Sequence, residues 1–360
     1  MPALGLRSIK LVVSDLHLGE GDRWADGSYN YFEDFHEDKR FAAFLEYYDA
    51  QYPEIPIELV INGDLFDFLR RERLGRYPDV MFESLAVQIV TAAIEAHREV
   101  FEALQRFLKK EKNRVICVIG ESDCGLFWEK VQRVLVEKVS SRIKIASEYH
   151  ISDGIYFEHG HAVEALSRFP AERFQLDPSS KIKVLNLPWA AYFISDYIVP
   201  LRRITPHLGM VRPLYAYFVW MVLFDFVFAV RMLGRLIAVF LRNRLIMRGP
   251  GYGLLRSIQV VKEFFLQKED LASYALRIFG RHNVRMVFLG HSHLATYRYF
   301  RGKREYFNTG SWTRTVSLDV NHIGARVMLT FGFVEVLDDG GVRAELLEWK
   351  GAHAPVVEFA

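Results

Sequence analysis

The sequence predicts an α/β protein, and three observations predict it. Short β-branched runs alternate with longer stretches of helical composition through much of the chain. Five of those runs empty into loops carrying His or Asp beside Gly, and ligands of open α/β sheets collect at such strand ends. Of 360 residues, 51% are hydrophobic and 25% charged, which supports a sizeable core and excludes a disordered or collagen-like chain. At roughly 150 residues per domain, this length allows two domains or one large domain with an insertion.

In order along the chain, Ile9–Val13 reads as a buried strand ending in Ser14–Asp15, followed by a polar stretch and a helix from about Phe35 to Tyr48. Ile57–Ile61 is a second strand, ending in Asn62–Gly63–Asp64. Residues 79–110 hold no Pro or Gly and read as helix. Arg114–Ile119 is a third strand, running into Gly120–Glu121–Ser122–Asp123. A helix over about Phe127–Ser140 leads to short strands at Ile143–Ala146 and Ile155–Glu158, the latter ending in His159–Gly160–His161. From about Glu164 to Ile258 the alternation stops, and the chain becomes aromatic, arginine-bearing and punctuated by Pro. The regular pattern resumes with a helix near Val260–Arg281 and the strand Val284–Leu289, ending in Gly290–His291–Ser292–His293. Hairpins turning at Arg301–Gly302 and Asp338–Gly341 close the chain.

The five strand-end loops mix carboxylate and imidazole without thiolate, the donor set for small hard-to-borderline divalent ions. Two such ions about 3.5–4 Å apart can share a carboxylate, hold a hydroxide between them and clamp a phosphate. Glycines beside the donors let the backbone turn sharply. The two cysteines, Cys117 and Cys124, match no metal or redox spacing, and Met1–Lys10 lacks a signal-peptide apolar core, so a cytoplasmic protein is expected. A net charge of +2 speaks against nucleic acid as partner.

In this order the loops resemble the calcineurin-like metallophosphoesterase superfamily, whose motifs run D-x-H, GD, GNH[DE], HG[HD] and GHxH. Within it, Ser14–Asp15–Leu16–His17–Leu18, Gly63–Asp64–Leu65–Phe66 and the long insertion look most like bacterial UDP-2,3-diacylglucosamine hydrolases, pyrophosphatases of lipid A synthesis. The resemblance implies a four-layer αββα sandwich with a mostly helical insertion. Residues 1–163 and 259–360 would form the hydrolase domain, and 164–258 the insertion. It implies two divalent ions, Mn²⁺ foremost with Fe or Zn as alternatives. Asp15, His17 and His293 would hold one, His159 and His291 the other, with Asp64 bridging. Attack by the metal-bridging hydroxide would cleave a phosphoester or pyrophosphate, the substrate being a phosphorylated small molecule, lipid-linked or a UDP-sugar. His161 would contact substrate or support a ligand.

One loop departs from the pattern. Where the superfamily has Asn and then His, this chain has Glu121 and Ser122. Glu121 still reaches a metal as an oxygen donor, but it neutralises a centre that would otherwise be +1, weakening attraction for phosphate. Ser122 supplies neither a cation nor an efficient general acid. With Asp64, Ser122 and Asp123 assigned to catalysis, the expectation is reduced activity, a cation brought from elsewhere such as Arg202 or Arg203, or a metal-binding scaffold without turnover.

Leu214–Val230 contains one charge, Asp225, and arginines flank the apolar run at 202, 203, 212, 242, 244 and 248. Asp225, Arg231 and Arg235 count against a spanning helix. Four readings stand: a buried helix pair, a lid receiving acyl chains, an interfacial segment contacting anionic lipid at the inner membrane face, or a true transmembrane helix.

Overall fold

The computed structural model of the chain describes residues 5–355 apart from 25, 71–79, 166, 178–179, 203, 206–207, 209, 213, 247–270, 318–323 and 352. Strand β1 (Leu6–Val13) is followed by helix α1 (Asp38–Gln51), which buries Phe41, Phe44, Leu45 and Tyr48 at helical spacing. Then come β2 (Ile57–Asn62), α2 (Glu83–Ala96), α3 (Arg98–Phe107), β3 (Arg114–Val118), α4 (Glu129–Lys138), β4 (Ile143–Ala146), β5 (Tyr149–Ser152) and β6 (Ile155–Glu158).

The segment expected to be helical opens instead with a small hairpin, β7 (Phe174–Leu176) and β8 (Lys183–Leu185). Helices α5 (Trp189–Phe193) and α6 (Val199–Arg202) follow, joined through a π-helical turn at Ile194–Ile198. After β9 (Val211–Arg212) come α7 (Leu214–Phe224) and α8 (Phe226–Ile246). The expected helix from Val260 is described only as α9 (Leu271–Arg281), since 260–270 lie outside the described residues. The remaining strands are β10 (Met286–Leu289), β11 (Ala295–Phe300), β12 (Arg304–Thr309), β13 (Arg314–Ser317), β14 (Gly324–Val327), β15 (Thr330–Leu337), β16 (Val342–Trp349) and β17 (His353–Pro355).

Two sheets dominate, with orders β17-β16-β15-β1-β2-β3-β4 and β11-β12-β10-β6-β5. Strands β1 to β4 run parallel, as do β6, β10 and β12. The period-two alternation of side chains sorts each strand between two cores. Leu11, Val13, Leu59 and Ile61 pack against α1–α4, while Val12, Val60, Ile116 and Val118 meet Ile155, Phe157, Phe288 and Phe307 of the other sheet. The far side of that sheet, through Tyr156, Val287 and Leu289, is covered by Ala275, Ile278 and Phe279 of α9. The layers are therefore helix, sheet, sheet, helix, as the family resemblance implies.

The helical stretch expected over 79–110 breaks at His97. Its ring is buried between two carboxylates, with Nδ1 2.9 Å from Asp38 Oδ1 and Nε2 3.3 Å from Glu33 Oε2. Burial alone would lower its pKa, but bonds to Asp38 and Glu33 raise it to about 9. With the folded value above the unfolded one near 6.5, this stabilisation is full below pH 6.5 and fades as pH rises through about 9. Denaturant titrations at pH 6 and 10 should show wild type losing about 3 kcal/mol more than His97→Gln. Equal losses in the two proteins would contradict the assignment.

Candidate metal centre

The strand ends of the two sheets are drawn together by Asn62, whose Nδ2 donates to Glu158 O at 2.9 Å and Phe288 O at 3.1 Å. Backbone bonds from Asp15 N to Gly63 O and from His17 N to Asp64 O then lace the first loop to the second. Ser311 Oγ, on the segment after β12, donates to Asp15 O at 2.8 Å and ties that segment to the first loop. Packing this tight needs glycine. A methyl group at Gly63 would overlap the His159 ring, and one at Gly120 would overlap the Asp64 carboxylate. Asp15, His17, Asp64, His291 and His293 all take positive φ, between 53° and 68°. Such backbone costs about 1–3 kcal/mol per residue and clusters at functional sites.

These loops build two donor clusters. In one, Asp15, His17 and His293 place a ligand atom each within 4.8 Å of one another, with His17 Nε2 and His293 Nε2 3.3 Å apart. In the other, Glu121 and His159 converge with His161. Asp64 Oδ2 lies between them, 3.5 Å from His17 Nε2 and 3.4 Å from His159 Nε2. Its Oδ1 is held by the Ser122 backbone N–H at 2.9 Å, leaving Oδ2 to face both clusters. Glu121 points inward, its oxygens 3.0 Å from His159 Nε2 and 2.7 Å from His291 Nδ1.

Among the described residues, buried His161 Nδ1 has no hydrogen-bond partner, and Asp15 Oδ1, Glu121 Oε2, His159 Nε2 and His291 Nδ1 meet mainly one another inside the clusters. Buried donor atoms that converge on each other rather than on the rest of the fold are what a cation would complete. The donors fit divalent ions. His159 donates Nδ1–H to Asn62 O at 3.0 Å, which turns Nε2 inward as a ligand.

Charge reinforces the picture. Burial would raise Glu121, but the neighbouring His291 and His159 hold its carboxyl well below the usual range. Burial and the Glu121 charge act against Asp64 likewise, and His159 and His17 keep it low. Burial pushes Asp15 up. His161 is pushed down to about 4 by burial, so its ring is neutral near pH 7.

Three sequence assignments change here. Asp123, assigned to catalysis, has no exposed surface, and its carboxylate accepts the backbone N–H groups of Leu65, Phe66 and Gly120. It holds the second and third loops together, and burial beside Asp64 raises it to about 7. Ser122 contributes its backbone N–H to Asp64 rather than a cation. Arg202, assigned to substrate, is 0% exposed and donates to Asp34 through Nη2 at 2.7 Å and Nη1 at 3.2 Å. Arg203 lies outside the described residues.

Sequence reasoning passed over Asp67 and Arg70. Arg70 pairs with Asp34 and lies 3.4 Å from Asp67 Oδ2, which faces His17 Nδ1 at 3.7 Å. The signal was the spacing Asp64–Leu65–Phe66–Asp67, which puts a second carboxylate behind the first loop.

No family model matches the chain, and no curated protein matches it. Among solved structures it is similar to a conserved uncharacterized protein, a predicted phosphoesterase, of Streptococcus pneumoniae (13% identity, 97% of this chain and 92% of that one, TM-score 0.30). It is similar also to Vps29 complexed with zinc from Entamoeba histolytica (12%, 95% and 99%, TM-score 0.31) and to the calcineurin-like phosphoesterase YfkN of Bacillus subtilis (10%, 98% and 88%, TM-score 0.33). Likeness at this level assigns no activity, so the donor clusters carry the functional reading.

Proposed function

We propose that the chain is a dinuclear metal-dependent hydrolase of phosphoester or diphosphate bonds, formed by residues 1–163 and 259–360 with 164–258 as its insertion. The observation that carries it is the pair of buried donor clusters meeting at Asp64, whose inward-facing imidazole and carboxylate atoms converge on one another. Two divalent ions bound there would supply Lewis-acid charge to a phosphoryl group and an activated water at neutral pH. Imidazole and carboxylate without thiolate favour Mn²⁺, with Fe or Zn next. The chain's own part is positioning: Ser122 N–H and Asn62 orient Asp64 and His159, and Asp123 fixes the loops that carry them. Elemental analysis after gentle purification, with a turnover screen in Mn²⁺ over aryl phosphates and UDP-linked acyl sugars, tests it. Up to two ions per chain and turnover are expected. A chain that stays metal-free at micromolar Mn²⁺ would overturn the reading.

A second reading, a metal-binding scaffold with weak turnover, is favoured by one feature: Glu121 points into the centre and adds a charge no phosphate welcomes.

The insertion supports a lipidic substrate and peripheral contact with anionic membrane from the cytoplasmic side. Met221, Met232 and Val239 of α7 and α8 pack inward with Phe193, Tyr197 and Leu208. Asp225 accepts the Phe228 N–H at 3.1 Å between the two helices, which is why one charge interrupts the apolar run. The opposite face is not core. Phe226, Val230, Leu233, Ile237 and Leu241 form an exposed stripe on α8 with Arg231 and Arg235 beside it, and Leu223 and Phe224 at the turn are 69% and 68% exposed. Among the described residues no helix is long and apolar enough to cross a membrane. Cosedimentation with anionic vesicles is expected, each basic side chain near the surface adding about 1 kcal/mol. Removing Pro213 to Leu241 should end vesicle binding and activity on lipidic substrates while sparing aryl phosphates. Full-length protein that ignores such vesicles would return the segment to an ordinary surface.

A further inference from the structure

We propose that Glu164 is a positioning residue of the metal centre, binding the outer nitrogen of His291 so that the inner one faces the donor cluster. The inference rests on the metal-centre reading above and adds a residue that no motif contains.

An imidazole offers a metal one nitrogen, and the partner of the other nitrogen decides which one. His159 settles this through the Asn62 carbonyl. For His291, a carboxylate stands in that place among the described residues. Its Nδ1 lies 2.7 Å from Glu121 Oε1 on the inner side, and its Nε2 lies 3.1 Å from Glu164 Oε2 on the outer side. Both nitrogens thus face carboxylates, and with a cation on the Glu121 side Nε2–H would stay on Glu164 and Nδ1 would be the ligand. The His291 side chain is mostly buried, whereas that of Glu164 is 40% exposed. The contact thus lies at the mouth of the site, where water would otherwise compete for Nε2.

Glu164 is held for this task. Gly160 takes a φ of 101°, turning the chain after β6 into a 3₁₀ turn at His161–Val163, and Glu164 N donates to His161 O at 3.2 Å. Its carbonyl accepts Arg168 N at 3.0 Å and Ser167 N at 3.2 Å, and Ser167 Oγ reaches its carboxylate at 3.5 Å. The same short segment thus delivers His159 and His161 to the cluster and steadies a histidine from the end of the neighbouring strand β10.

The test is calorimetric titration of the purified full chain with Mn²⁺, comparing wild type, Glu164→Ala and Glu164→Gln, with thermal midpoints of the metal-free proteins alongside. Glu164→Ala should weaken one of the two ions about 10–100-fold, leave the other unchanged and keep the metal-free midpoint. Glu164→Gln, whose amide oxygen still accepts from Nε2–H, should retain most of the affinity. Two unchanged ions in Glu164→Ala would overturn the proposal. So would a Glu164→Gln chain as weak as Glu164→Ala, because charge rather than orientation would then be acting. If wild type binds two ions but hydrolyses nothing, the hydrolase reading falls while the Glu164 comparison stands on binding. If wild type binds no ion, both fall.

Discussion

An Asp64→Ala chain is expected to lose metal-dependent hydrolysis altogether, more completely than any other single change at the centre. Its Oδ2 lies 3.5 Å from His17 Nε2 and 3.4 Å from His159 Nε2, nearer to both than Asp15 Oδ1 at 3.9 Å. His291→Ala, by contrast, removes a donor from one cluster and should leave one ion bound. The metal-free Asp64→Ala protein should be less stable than wild type. The change removes the acceptor of the buried Ser122 N–H and the counter-charge of His17 and His159, which outweigh burial and the neighbouring carboxylates and hold Asp64 low. Metal content, turnover and thermal midpoint of the three proteins decide the matter. Turnover in Asp64→Ala within an order of magnitude of wild type would sink the shared role.

The second large effect lies at Glu121 and Ser122. Changing Glu121 to Asn returns net positive charge to a dinuclear centre, and Ser122 to His returns a donor beside the leaving oxygen. General-acid help is typically worth about 10²–10⁴-fold, so the double variant should exceed wild-type aryl-phosphate turnover by well over tenfold. The geometry removes two ways out. Glu121 does not turn away from the donors, and Arg202, already engaged with Asp34, does not stand in as the missing cation. A fast wild type that the double change slows would establish Glu121 as a working ligand and overturn the impaired-site reading.

The architecture was legible wherever local pattern and tertiary burial agree. Ile143–Ala146 and Ile155–Glu158 form strands where their sequence says, and all five chemistry-bearing loops converge because parallel strands put their carboxyl ends on one side. Other features depend on partners distant in sequence. The helix over 79–110 breaks because His97 reaches Asp38 and Glu33, which no periodicity reveals. Tyr149–Ser152 is an edge strand with half its side chains exposed, so it carries little hydrophobic signal. At the centre, metal donors were readable as motifs. The residues behind them were not: Asp123 answers to backbone amides, and Glu164 to a histidine 127 positions away (291 − 164).

Arg202 carries a consequence for how such a chain could be recombined. It belongs to the segment between the two halves of the sheet-bearing body, yet it sits fully buried with its guanidinium on Asp34, which also binds Arg70. Both arginines hold the Asp34 carboxyl down at about 2 against the effect of burial. A chimera that swaps residues 164–258 for a foreign cassette would leave Asp34 a buried carboxylate with half its counter-charge, the kind of loss that costs about 3–5 kcal/mol. A workable crossover point therefore lies after Arg202, so that the body keeps its own arginine and only the apolar hairpin beyond it is interchangeable.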